Sequence, residues 1–133
     1  MVPTSILPHW LETALEALRK GDIDGWMSIY ATDAVHEFPF ALEGMPTSLT
    51  GRDNIAAYMR RLPSFIRFGS LSDVRVREIG EELIVEAVGH HNRISDGAPC
   101  EITYVWFITR RNGKVTLIRD YMNPIQLQRI AAS

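Results

Sequence analysis

A chain of 133 residues, 46% apolar, with 14 Lys and Arg against 16 Asp and Glu and a single cysteine, is expected to fold as one domain spanning residues 1–133, with a core that needs no disulfide or structural metal. A formal net charge of −2 supplies no field for a phosphate backbone or an anionic lipid surface, which argues against nucleic-acid and membrane partners. The opening Met1-Val2-Pro3-Thr4-Ser5 lacks the basic and apolar regions of a signal peptide and no apolar run approaches a bilayer span, so the expectation is a soluble, cytoplasmic protein.

Leu7, Trp10, Leu11, Ala14, Leu15 and Leu18 recur at helical spacing and predict a helix from about Pro8 to Lys20, stopped by Gly21. Asp22 is placed to cap a second short helix that carries Ile23, Trp26, Met27 and Tyr30 and closes at Ala31-Thr32-Asp33. From Ala34 to Phe40 the pattern turns extended, and Pro39, a residue that central strands exclude, marks this as an edge strand. The segment 41–51, rich in Gly, Pro, Ser and Thr, reads as a loop and a natural pocket rim. Ile55, Met59 and Leu62 then mark a third helix that ends at Pro63.

Beyond Gly69 the apolar residues alternate with period two, and turn chemistry separates the runs at Gly80-Glu81-Glu82, Asp96-Gly97 and Asn112-Gly113. Four strands, about 71–79, 83–94, 100–110 and 114–122, are therefore expected to form an antiparallel meander, with a last helical turn after Pro124. Helices first and strands later argue an α+β fold rather than a βαβ sheet.

Alternation also assigns faces. On the last strand Thr116, Ile118, Asp120 and Met122 share one face, and Val115, Leu117, Arg119 and Tyr121 the other. On the strand before it the sets are Ile102, Tyr104, Trp106 and Ile108, and Thr103, Val105, Phe107 and Thr109. Neither face is conspicuously polar, and the chain has helices enough to cover only one. A second copy is the simplest cover for the other, which predicts a homodimer through the sheet.

Several short motifs, in order, carry a resemblance: Gly21-Asp22-Ile23-Asp24-Gly25, Tyr30-Ala31-Thr32-Asp33-Ala34, Gly51-Arg52-Asp53 and Arg119-Asp120-Tyr121-Met122-Asn123-Pro124. Together they resemble the nuclear transport factor 2-like superfamily, which includes ketosteroid isomerases, SnoaL-like polyketide cyclases and limonene epoxide hydrolase. The resemblance covers nearly the whole chain. It implies a cystatin-like α+β barrel, a curved antiparallel sheet wrapped around N-terminal helices as a cone, with one deep pocket and a dimeric habit. Glu37-Phe38-Pro39-Phe40-Ala41, Glu43-Gly44, Gly89-His90 and Met122-Asn123-Pro124 are most similar to the phenazine-biosynthesis A/B family. In that family the carboxylate ahead of the aromatic and Met-Asn-Pro acts as a pocket acid; here that position is Asp120, while the family's pocket histidine falls at or near Tyr58. The same comparison excludes two chemistries. Phe38 and Ala14 stand where ketosteroid isomerases place their catalytic aspartate and oxyanion tyrosine, and Ala87 and Gly89 stand where limonene epoxide hydrolase needs an arginine and an aspartate.

Asp120 is the leading catalytic candidate. Its expected neighbours Ile118, Met122, Tyr104 and Trp106 would desolvate it, and burial favours the neutral form of a carboxyl, as proton transfer near neutral pH requires. His36, sharing the expected pocket face with Phe38, could shuttle a proton with it. His91, by the alternation that turns Ala87 and Gly89 inward, points into the pocket and His90 outward, so adjacent histidines cannot form a metal pair and no metal is expected. Tyr104, Trp106, Tyr58, Phe38 and Met122 complete the ligand-binding candidates, and Tyr104 needs a partner for its hydroxyl. Cys100 reads as a structural thiol, and Arg60-Arg61 and Arg110-Arg111 as solvated pairs. No phosphate-binding glycine loop or nucleophile elbow is present. Two functions fit: a cofactor-independent isomerase, cyclase or condensation catalyst acting on an apolar, ring-containing small molecule, or a non-catalytic ligand-binding or dimerisation domain on the same scaffold.

Overall fold

The structure is a computed structural model that describes residues 6–131; the signal-peptide reading of Met1–Ser5 lies outside the described residues. Helix α1, His9–Arg19, buries Leu11, Ala14 and Leu18, the stripe that its sequence spacing predicts. Past Lys20 the chain turns through Gly21 at φ +79°. There the amide N–H of Gly21 donates to the Leu18 carbonyl and that of Asp22 to the Ala17 carbonyl, a Schellman closure that favours glycine at the left-handed position. Helix α2, Ile23–Met27, is capped by the Asp22 carboxylate, which accepts from the Gly25 N–H at 3.0 Å. A Cβ at Gly25 would lie 2.7 Å from that of Ala17, so α1 and α2 pack at a distance only glycine allows.

The second helix is shorter than its periodicity predicts. It stops at Met27, and Tyr30 opens strand β1, Tyr30–Glu37. Trp26, Met27 and Tyr30 are all buried, so the apolar spacing correctly reports burial. The backbone at Tyr30 is decided instead by pairing with Val115 at the far end of the chain.

The predicted edge strand also proves to be interior. Strand β2, Ser48–Thr50, lies in the segment expected to be a loop and pairs antiparallel with β1, while β7, Lys114–Met122, pairs parallel with it on the other side. Pro39 falls beyond the end of β1 and removes no ladder hydrogen bond. Helix α3, Arg52–Arg61, follows β2 and continues into a 3-10 turn at Leu62–Ser64. Then come β3, Ile66–Arg67; β4, Leu71–Ile79; β5, Glu82–Arg93; and β6, Pro99–Arg111. The chain ends in α4, Pro124–Ala131, two turns where sequence suggests one.

The sheet runs β2-β1-β7-β6-β5-β3, with β4 also paired to β5, and β4 to β7 form the predicted antiparallel meander. The architecture is α+β, a curled half-barrel sheet with the N-terminal helices against it. At the β6–β7 turn Asn112 and Gly113 both have positive φ, +54° and +78°, the conformation that makes Asn-Gly a hairpin signal.

The inward residues of β6, Ile102, Tyr104, Trp106 and Ile108, are all buried, as are Leu83, Val85 and Ala87 of β5. One face assignment needs correction. Thr109 pairs with Leu117 and Arg110 with Val115, so Thr116 is the extra residue of a β-bulge, and its hydroxyl donates to the Thr109 carbonyl. The bulge resets the alternation. Val115 therefore turns inward, fully buried, together with Ile118, and Thr116 does not belong to the pocket face. Among the described residues no helix is long and apolar enough to cross a membrane.

Candidate active site

The concave face of the sheet and the helices enclose a cavity of about 1300 Å³, mostly apolar, with polar groups at a few points of its wall, the usual character of a small-molecule site. All eight residues singled out from sequence line it: His36, Phe38, Tyr58, His91, Tyr104, Trp106, Asp120 and Met122.

Two strands from opposite ends of the chain assemble the first polar cluster. The parallel register sets His36 of β1 beside Ile118 of β7, and the next inward residue of β7 is Asp120. His36 Nε2 lies 3.1 Å from Asp120 Oδ2, and His36 Nδ1 lies 2.9 Å from the Tyr30 hydroxyl. His36 is 4% exposed and Tyr30 1%. Burial holds the Tyr30 hydroxyl well above its ordinary pKa, with the Asp120 charge adding to the effect, so Tyr30 keeps its proton and can donate it to Nδ1. With Nδ1 accepting from Tyr30, Nε2 carries a proton and donates it to Asp120 Oδ2. The second carboxylate oxygen, Asp120 Oδ1, is buried and has no hydrogen-bond partner among the described residues. An unpaired buried acceptor costs about 1–3 kcal/mol, more when charged. His36 thus fixes the orientation of Asp120 and leaves its second oxygen without a protein partner among the described residues.

The wall around this cluster is aromatic. His36 stacks on Phe38 at 4.7 Å between centroids, Phe38 meets Tyr58 at 5.3 Å, and Trp106, directly across β6–β7 from Asp120, packs on Tyr104 at 5.0 Å. Burial, with the Asp120 charge second, also raises the pKa of Tyr58. A second polar cluster lies further along β5 and β6. The His91 Nε2 is 2.9 Å from the Tyr104 hydroxyl, and His91 Nδ1 accepts from the Gly69 backbone N–H at 3.0 Å. His91 is 4% exposed; desolvation, reinforced by His90, lowers its pKa to about 4.

His90 faces outward, between the Ser72 hydroxyl at 2.6 Å and the Glu101 carboxylate at 3.0 Å. Among the described residues no cluster of three His, Cys, Asp or Glu is placed to hold a metal. Cys100 is half-buried, and burial raises its thiol pKa. One arginine departs from the solvated reading: Arg110 lies over the Trp10 ring at 4.1 Å and donates to the Gly113 carbonyl. Tyr30 and Gly69 were not legible as site residues. Tyr30 carries the spacing of a helix, and Gly69 contributes only a backbone amide.

Residues 11–118 match the family model of the SnoaL-like domain. A PhzA/B-like protein of Pseudomonas aeruginosa, PA3332, is 30% identical over 117 residues, covering 85% of this chain and 81% of the relative. A Bacillus subtilis crystal structure designated a candidate isomerase superposes with a TM-score of 0.86 at 26% identity, covering 92% of this chain and 90% of the other. A Xanthomonas campestris structure designated a candidate polyketide cyclase gives a TM-score of 0.74 at 23% identity, covering 92% of each chain, a likeness of fold.

Proposed function

The chain belongs to the SnoaL-like domain family, and from that premise we propose that its cavity binds an apolar, ring-containing metabolite and moves a proton on it without a cofactor, as an isomerase, cyclase or condensation catalyst does. Asp120 is the acid–base group, and His36, backed by Tyr30, assists by donating from Nε2 to the carboxylate and holding its orientation. The observation that carries this reading is the division of labour on one carboxylate of a residue that lines the cavity: Oδ2 is tied to His36, while Oδ1 is buried and has no partner among the described residues. A positioned general base contributes about 10²–10⁴-fold to rate.

The test is deuterium incorporation from D2O into a panel of monocyclic and bicyclic enolisable ketones, followed by NMR. Asp120→Asn is expected to lower exchange by about 10²–10⁴-fold with ketone binding retained. Absence of exchange by the native protein across the panel, with binding unchanged by Asp120→Asn, would instead establish a non-catalytic ligand-binding domain.

The reading extends to assembly as a cytoplasmic homodimer through the outer sheet face. Val105, Phe107, Leu117 and Tyr121 there are only half-buried in the single chain, which supports a second copy as their cover. Sedimentation at micromolar concentration should give twice the chain mass of 15.1 kDa; a monomeric mass refutes the dimer.

A further inference from the structure

We infer that Tyr104 is a hydrogen-bond donor to the ligand, turned toward it by His91, and that the site is built for a ligand presenting a carbonyl oxygen to it. The inference rests on the acid–base reading of Asp120 only for what happens after the ligand is bound.

The argument is one of proton counting. The backbone N–H of Gly69 can only donate, and it points at His91 Nδ1 at 3.0 Å. Nδ1 must therefore be an acceptor, so the ring is neutral with its one proton on Nε2. That proton is directed at the Tyr104 oxygen, 2.9 Å away. Tyr104 thus accepts from His91 and keeps its own hydroxyl proton uncommitted. Tyr104 is buried and lines the cavity, and burial holds its pKa well above the ordinary tyrosine value, with the Asp120 charge contributing less. The result is a protonated donor with no acceptor among the described residues, on a side chain that lines the cavity.

Two glycines give this arrangement its room. A Cβ at Gly89 would stand 2.3 Å from His91 Nε2 and 2.8 Å from Tyr104 Cε2, inside the space the hydrogen bond occupies. A Cβ at Gly69 would stand 1.7 Å from the His90 carbonyl oxygen, so only glycine can bring its N–H this close to strand β5.

The spacing then selects the ligand. Tyr104 pairs with Met122 and Trp106 with Asp120, so Tyr104 and Asp120 are diagonal neighbours on one face, about 7–8 Å apart at the backbone. Tyr104 and Asp120 thus place a donor and an unpartnered acceptor within the span of a small ring. A cyclic ketone with an acidic C–H satisfies both. Its carbonyl oxygen accepts from Tyr104, and its C–H proton passes to Asp120 Oδ1. The C–H electron pair moves into the ring to form an enolate on the oxygen that Tyr104 holds, and the proton returns from Asp120 to carbon. Tyr104 touches the ligand; His91 is a positioning residue.

Two measurements test this. In ¹⁵N-histidine-labelled protein, His91 is expected to show Nδ1 unprotonated and Nε2 protonated at neutral pH; a proton on Nδ1 overturns the inference. With 1-tetralone ¹³C-labelled at the carbonyl as probe, the bound resonance is expected to move downfield in the native protein and in Asp120→Asn. Tyr104→Phe should lose that shift and bind about 10-fold more weakly. A probe that binds without the downfield shift, or a shift that survives in Tyr104→Phe, overturns the donor assignment. Failure of the Asp120 reading is seen separately, as deuterium exchange undiminished in Asp120→Asn while the carbonyl shift is intact.

Discussion

Acidification should destabilise this fold through His91. The ring sits between the Gly69 N–H at Nδ1 and the Tyr104 hydroxyl at Nε2, and a proton added to Nδ1 would face another N–H. Burial, and secondarily His90, hold its pKa at about 4 against an ordinary 6.5. Between those values the unfolded chain binds a proton that the folded chain refuses, so stability is complete above pH 6.5 and falls as the pH drops toward 4. At 1.36 kcal/mol per unit the loss is about 2 kcal/mol by pH 5 and about 3 kcal/mol by pH 4. For a domain of this size that lowers the melting temperature by roughly 10 °C. The assay is urea denaturation followed by circular dichroism from pH 7 to pH 4, on the native protein and on His91→Gln, which has no titrating ring. Subtracting the two removes every other acid-sensitive group. Parallel curves would refute the reasoning, because they would place the acid sensitivity elsewhere.

Three further substitutions probe parts of the same framework. Gly89→Ala drives a methyl group into the His91–Tyr104 hydrogen bond and should cost about 1–3 kcal/mol, read as a lower urea midpoint and a displaced His91 Nε2 resonance. Leu11→Ala empties a fully buried site on α1 and should cost about 2–5 kcal/mol, measurable as a reduced melting temperature. Asp22→Ala removes the cap on α2 and should cost about 1 kcal/mol; an unchanged denaturation midpoint would show that the cap contributes nothing.

Local patterns made most of the fold legible. Period-two runs separated by Asn112-Gly113 and its counterparts specify the meander because hairpin pairing joins neighbours in sequence. What escaped depends on partners far away. Tyr30 is helical by spacing and becomes a strand because Val115 pairs with it. The same parallel pairing makes β1 interior, and a parallel contact has no turn to announce it. The bulge at Thr116 follows from how three strands come into register, and no residue type nearby signals it. At the site, alternation placed Asp120, Tyr104, Trp106 and Met122 on one face, and the structure gathers them on the cavity wall. The shared face of His36 and Phe38 was equally readable. The pairing of His36 with Asp120 was expected from a shared pocket, but not the adjacency of β1 and β7 that produces it, because a strand placed at the margin of the sheet has no such neighbour.

The position of β7 has a consequence for the life of the chain before it is complete. This last strand is inserted between β1 and β6, and it joins His36 to Asp120 across 84 residues of sequence. A ribosome-bound chain that has released everything up to the β6–β7 turn holds two unpaired strand edges, and its Tyr30–His36 pair still lacks Asp120. Its contacts of longest sequence separation come last, which is the ordering that slows folding and leaves edges open to other chains. The binding chamber therefore arises in a single late step, when one nine-residue strand closes both edges and completes the wall together.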